Sequence, residues 1–255
     1  VVVETDLIES CLGVFETIDK NALLSGDAGS GIKLHSRTEN CYWFETQIAE
    51  DDLDRFETDE QLRKVDIDSL KTAVTGTVAG RIALHGKADG SLFFRDGTEK
   101  VQLTAKETPL SDEYYSGLIE DSKIFNLSKF TIESSRFEAL IGADPTHDHL
   151  RIATDSNTDT VQFGFFDTEE GTEDRQLEIP SEKLIEPPSM EDEETETVEA
   201  LICRESIDDA MPPMRGPVTV GLGVSEISGS SFEYRRADGD VRVNVLISGR
   251  EDASI

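Results

Sequence analysis

The chain has 255 residues, enough to bury a substantial core in one or two domains. It carries 54 Asp and Glu against 24 Lys and Arg, a formal charge of −30 spread along its whole length. Such even acidity points to molar salt, where the Debye length falls to about 3 Å and self-repulsion is screened. Regular apolar alternation excludes the disorder that high charge otherwise signals. From Thr5 to Asn21, Leu7, Ile8, Cys11, Leu12, Phe15 and Ile18 recur at helical spacing, with Thr5 or Asp6 as the cap. Gly26, Gly29 and Gly31 then predict a turn, and Ile32–Ser36 and Cys41–Ile48 read as strands. A short helical turn over Asp51–Phe56 is expected to plug Leu53 and Phe56 into the core. A second short helix is predicted over Asp66–Thr75. Strands Arg81–His85, Ser91–Arg95 and Lys100–Ala105 follow as an antiparallel meander.

Lys106–Phe125 has no sustained period, and Pro109, Ser111, Asp112, Ser116 and Gly117 break any regular element. It nevertheless holds Leu110, Tyr114, Tyr115, Leu118 and Ile119, which suits a strap over a binding surface. Beyond it the programme repeats. A strand is predicted over Leu127–Ile132 and a helix over Glu133–Ala143, with strands at Leu150–Thr154, Thr160–Phe166 and Gln176–Ile179. Met190–Thr197 reads as a solvated acidic loop, Thr197–Ile202 as a strand and Arg204–Met211 as a short helix. Val218–Leu222, Ser231–Arg235 and Val241–Ile247 close the chain. The fold class is α+β: two similar domains, 1–106 and 126–255, with short helices on one face and antiparallel sheets on the other. The connector is 107–125.

Three cysteines, Cys11, Cys41 and Cys203, are too scattered for a disulfide framework and read as reduced, buried small hydrophobes. The chain starts at Val1, so loss of an initial residue or two is expected. No signal peptide and no bilayer-length apolar run stand out, so a soluble, cytoplasmic protein without membrane contact is expected. His147 and His149 read as part of a solvated helix terminus rather than a metal site, for want of a third ligand. Gly26–Gly31 lacks the Lys-Ser/Thr and following helix of a phosphate loop. Asp66 and Asp68 read as helix-start acids rather than magnesium ligands. Only four histidines exist, and no nucleophile–base order emerges. An enzyme would need a pocket of converging His and acidic side chains.

SGIKLHSRTENCYWFETQI, VDIDSLKTAVTG, SSRFEALIGADPTHDHLRIATD and FEYRRADGDVRVNVLISGRE, in that order and spacing, resemble the proliferating cell nuclear antigen (PCNA) family of archaeal and eukaryotic DNA sliding clamps. The resemblance covers almost all of the chain. It implies a homotrimeric ring around duplex DNA, with no catalysis and no cofactor. Such a ring tethers polymerase, nuclease and ligase through short peptide motifs and is placed by a clamp loader. Strand Thr98–Lys106 of one subunit would pair with Arg175–Leu184 of the next. Partner motifs would meet Tyr42, Leu118, Ile119, Val245 and Ile247, with the family's groove proline replaced near Gly229.

Phosphate-facing positions on the four predicted helices would be Lys20, Lys71, Arg136 and Arg204. The same helix windows hold twelve acids against these four bases, a departure from the basic helix faces of the family. Glu9, Ser10, Glu16 and Asp209 stand where the family places such bases. A clamp of a halophilic archaeon or its virus is the resulting expectation. The alternative is a clamp-like scaffold that does not encircle DNA.

Overall fold

The computed structural model describes residues 1–15, 21–37, 42–57, 63–76, 80–86, 92–95, 100–103, 127–144, 146–158, 160–167, 172–190, 196–204, 206–207, 216–223, 229–235 and 241–248. The chain forms two compact units. One comprises Val1–Thr38, Phe44–Asp112 and Asp238–Val243; the other comprises Glu39–Trp43, Glu113–Ala237 and Asn244–Ile255.

The first unit holds β1 (Val2–Glu4), α1 (Thr5–Phe15), β2 (Asn21–Asp27), β3 (Gly31–Arg37) and most of β4 (Tyr42–Ile48). It continues with β5 (Arg63–Asp66), α2 (Ile67–Thr75), β6 (Arg81–Gly86), β7 (Leu92–Arg95) and β8 (Lys100–Leu103). Its strands run in the orders β1-β6-β7-β8 and β4-β3-β2-β5. The helical spacing of α1 turns Leu7, Ile8, Cys11, Leu12 and Phe15 inward, and the Phe15 ring meets Phe44 edge-on at 5.0 Å. Asp66 caps α2, its carboxylate accepting from the Ser69 amide at 2.7 Å, as expected of a helix-start acid.

The second unit repeats this plan. It holds β9 (Ser128–Glu133), α3 (Ser134–Ile141), β10 (His149–Asp155), β11 (Thr160–Asp167), β12 (Thr172–Pro180), β13 (Glu186–Met190) and β14 (Thr197–Cys203). β15 (Pro217–Gly223), β16 (Gly229–Arg235) and the later half of β17 (Val241–Ser248) complete it. The orders are β12-β11-β10-β14 and β13-β9-β15-β16-β17. With β13 set aside, these match the first unit strand for strand, so the fold is α+β with two similar domains. Phe137 of α3 anchors this core against Phe163, at 6.4 Å, and Phe232, at 5.4 Å. Each such ring, fully buried, contributes about 1.5–3 kcal/mol.

Several expectations need correction. The first helix ends at Phe15 within the described residues, and Asn21, its predicted end, opens β2 instead. Gly26 lies inside that strand, and the turn is confined to Ala28–Ser30. The turn after β4 is a 3-10 turn at Glu50–Asp52, and Leu53 and Phe56 are half-buried rather than core. Val2 draws this segment extended: its amide donates to the Arg55 carbonyl at 2.7 Å and its carbonyl accepts from Asp54 at 3.1 Å. His149 is not solvated; it lies in β10 at 5% exposure. Cys11 is a buried free thiol and Cys203 a half-buried one, while Cys41 lies outside the described residues. The connector, the acidic run 191–195 and most of the fourth helix also lie outside them. Among the described residues no helix is long and apolar enough to cross a membrane.

Candidate functional site: helix faces and strand edges

The amphipathic helices bury one face and offer the other. The exposed side presents Asp6 and Glu9 of α1, Asp68 of α2, and Arg136 and Glu138 of α3, with Lys71 of α2 half-buried. Acids therefore outnumber bases on the described helix surface, as the sequence indicates. Of the four expected phosphate contacts, Lys20 lies outside the described residues. Arg136 is already engaged, its Nη1 donating to the Lys183 carbonyl. Arg204 is half-buried; its Nη1 donates to the Asp144 carbonyl at 2.8 Å and its amide to the Asp148 carbonyl at 2.8 Å. Two of the four cations thus hold backbone carbonyls.

Of the five partner-groove positions, Tyr42, Val245 and Ile247 fall in the second unit. Leu118 and Ile119 lie outside the described residues, and Tyr42 is described only by its place at the start of β4. Val245 and Ile247 are 1% and 0% exposed, on the same buried face of β17 as Val241 and Val243. They belong to core and present no open wall to a partner.

Strand edges are more informative. β8 ends the order β1-β6-β7-β8, and nine-residue β12 ends the order β12-β11-β10-β14. On β12, Leu177 and Ile179 are only half-buried, although Phe163 and Val161 opposite them on β11 are fully buried. An edge strand with an incompletely covered apolar row can accept a further strand.

A polar hub follows α3. The Asp144 carboxylate accepts from Thr146 Oγ1 at 2.6 Å and lies 3.0 Å from His147 Nδ1. The Thr146 hydrogen bond first, and the His147 contact second, pull its pKa down to about 2. The His147 ring sits 6.4 Å from Phe165. Arg175 of β12, whose role the sequence did not suggest, donates from Nη1 to the Ala143 carbonyl at 3.0 Å. Elsewhere, burial lowers the pKa of His35, which sits 3.8 Å from Glu45, itself 3.7 Å from Lys33.

A cavity of about 430 Å³ in the first unit is walled by Leu24, Ile32, Leu84 and Leu92, with Ser25, Arg55, Glu57 and His85 among its polar lining. The Glu57 carboxylate is held by Arg55 at 2.6 Å with both side chains largely exposed, an arrangement suited to a surface ion pair rather than to proton transfer. Among the described residues no group of three His, Cys, Asp or Glu could hold a metal ion.

No protein-family model and no curated protein matches the sequence. Solved structures do match. The A. fulgidus PCNA bound to the C-terminal region of FEN-1 superposes with a TM-score of 0.67 at 13% identity, covering 100% of this chain and 99% of that one. The PCNA2–PCNA3 complex of Sulfolobus tokodaii gives 0.64 at 13% identity, covering 98% of each chain. PCNA of Thermococcus kodakaraensis gives 0.66 at 12% identity, covering 98% and 99%. Over its whole length the chain has the fold of these archaeal clamps.

Proposed function

We propose that this chain, folded as those clamps are, is a DNA sliding clamp that closes into a homotrimeric ring and tethers replication and repair enzymes without catalysis of its own. The observation that carries the reading is the fold match across the full length of both chains, two repeats included. The open β12 edge supports ring closure by β8 of a neighbouring copy, since a closed ring of like contacts consumes both edges. The FEN-1 segment bound to the A. fulgidus clamp suggests a nuclease of that type among the clients.

The acidic helix faces fit a ring that holds DNA by encirclement rather than by phosphate contact. In molar salt counterion release yields little affinity, so little binding is lost by this design. The same acidity favours a second reading, a clamp-like scaffold that does not encircle DNA. Light scattering in molar KCl tests assembly: three times the chain mass of 28.1 kDa is expected, and a strict monomer at micromolar concentration would overturn the ring. Loader-dependent retention on circular duplex, lost on linearisation, distinguishes encirclement from the scaffold.

A further inference from the structure

The edge strand β12 is tied to α3 near both ends. A bulge in its ladder with β11 leaves Asp174 unopposed, because Phe166 faces Glu173 and Phe165 faces Arg175. Opposed residues share a sheet face, so Arg175, Leu177 and Ile179 lie on the face of Phe165, Phe163 and Val161. This is the face that packs on Phe137 of α3. From that side Arg175 donates to the Ala143 carbonyl, in the turn that follows α3. Arg136, projecting from α3, donates in the opposite sense to the Lys183 carbonyl, in the 3-10 turn Ser181–Lys183 that follows β12. The two half-buried apolar residues lie between these ties.

We propose that Arg136 and Arg175 are assembly residues, holding the open edge of β12 in the geometry that a strand from a second copy of this chain requires. The proposal rests on the ring reading above, and it moves Arg136 from DNA contact to subunit pairing. An edge strand has a ladder on one side only, so its twist and position are less constrained than those of an inner strand. Fixing it beforehand removes an ordering cost from association. The ties are charge-assisted hydrogen bonds at contact distance, so molar salt screens them far less than it screens separated surface charges.

The test is the concentration at which the ring dissociates, followed by light scattering on dilution in molar KCl, for wild type, Arg136→Met, Arg175→Met and the double variant. Arg151→Met serves as a charge-matched comparison, because Arg151 pairs with Glu199 between β10 and β14. Each single tie variant is expected to dissociate at about tenfold higher concentration, as loss of one charge-assisted bond implies, and the double variant at higher still. Arg151→Met should follow wild type. Hydrogen exchange of β12 amides in the dissociated chain should accelerate in the tie variants while far-UV circular dichroism stays unchanged. Arg136 is exposed on its helix, so Arg136→Met carries the test should Arg175→Met impair folding. Tie variants that dissociate with wild type overturn the proposal, as does an equal loss in Arg151→Met. A wild type that never assembles instead overturns the ring reading beneath it.

Discussion

Replacing Gly31 with alanine would drive a methyl group into the backbone that follows β4. Gly31 has φ +93°, and a Cβ placed there would lie 2.1 Å from the Ile48 carbonyl oxygen and 2.6 Å from the Glu50 amide nitrogen. Gly29, in the turn that leads into β3, has φ +84° but open space where its Cβ would be. The turn is fastened from the other side as well: the Gly29 amide donates to Glu50 Oε2 at 2.6 Å, and Gln47 Nε2 donates to the Ser30 carbonyl. Gly29→Ala should therefore cost only the left-handed backbone strain, about 1–2 kcal/mol. Gly31→Ala carries the same strain plus an overlap with immobile backbone worth about 1–3 kcal/mol more, for a total of about 2–5 kcal/mol. Urea unfolding in molar KCl, at one fixed protein concentration because the proposed assembly would be linked to stability, reads both from the midpoint shift. Equal losses in the two variants would refute the argument, since they would show that the chain after β4 moves aside freely.

Thr46 Oγ1 is buried without a hydrogen-bond partner among the described residues, so Thr46→Val should leave stability unchanged or raise it by about 1 kcal/mol; a marked loss in the same unfolding experiment would reveal a bond to that hydroxyl. Asp144, depressed from 3.8 to about 2, stabilises the fold above pH 3.8 and loses that contribution as pH falls towards 2. Thr146→Ala should move its carboxyl titration back up, as followed by NMR, and an unmoved midpoint contradicts the assigned cause. A peptide with a Gln, an aliphatic residue three further on and two aromatics should bind with micromolar affinity by calorimetry in high salt. The double change Leu118→Asp and Ile119→Asp should abolish that binding with the ring intact; equal affinity in both proteins would remove the connector from the mechanism.

The amphipathic runs that became α1, α2 and α3 are readable because period and core face coincide, and the antiparallel meanders because glycine and aspartate punctuate them. β2 was hidden: Leu23 and Leu24 are adjacent rather than alternating, and Asn21 follows the first helix run without a glycine or proline to mark the change. β5, Arg63–Asp66, has one apolar residue, Val65, and its last residue doubles as the α2 cap. β13 carries two adjacent prolines, which argue against a strand in any local reading. For the site, strict alternation of Val241, Val243, Val245 and Ile247 already placed the last two with the core. That signal stood in the sequence alongside the resemblance that made them groove residues. Arginine roles were not legible, because Arg136 and Arg204 find their carbonyls 47 and 60 residues away. Only tertiary packing brings those atoms together.

Those two prolines have a bearing on misassembly. β13 is the outermost strand of its sheet, and its ladder with β9 pairs Glu186 with Thr131, then passes over Pro187 and Pro188 before Ser189 meets Lys129. Proteins in dilute buffer often guard such margins with charge, a defence that fades when the Debye length is about 3 Å. Proline guards differently, by lacking the N–H that an intruding chain would need, and no salt concentration restores it. β12 keeps a regular run from Gln176 to Ile179 with no proline in it. On the proposed ring reading, in which β12 receives another copy while salt screens the net charge of −30, the two prolines would keep β13 from starting an open-ended filament.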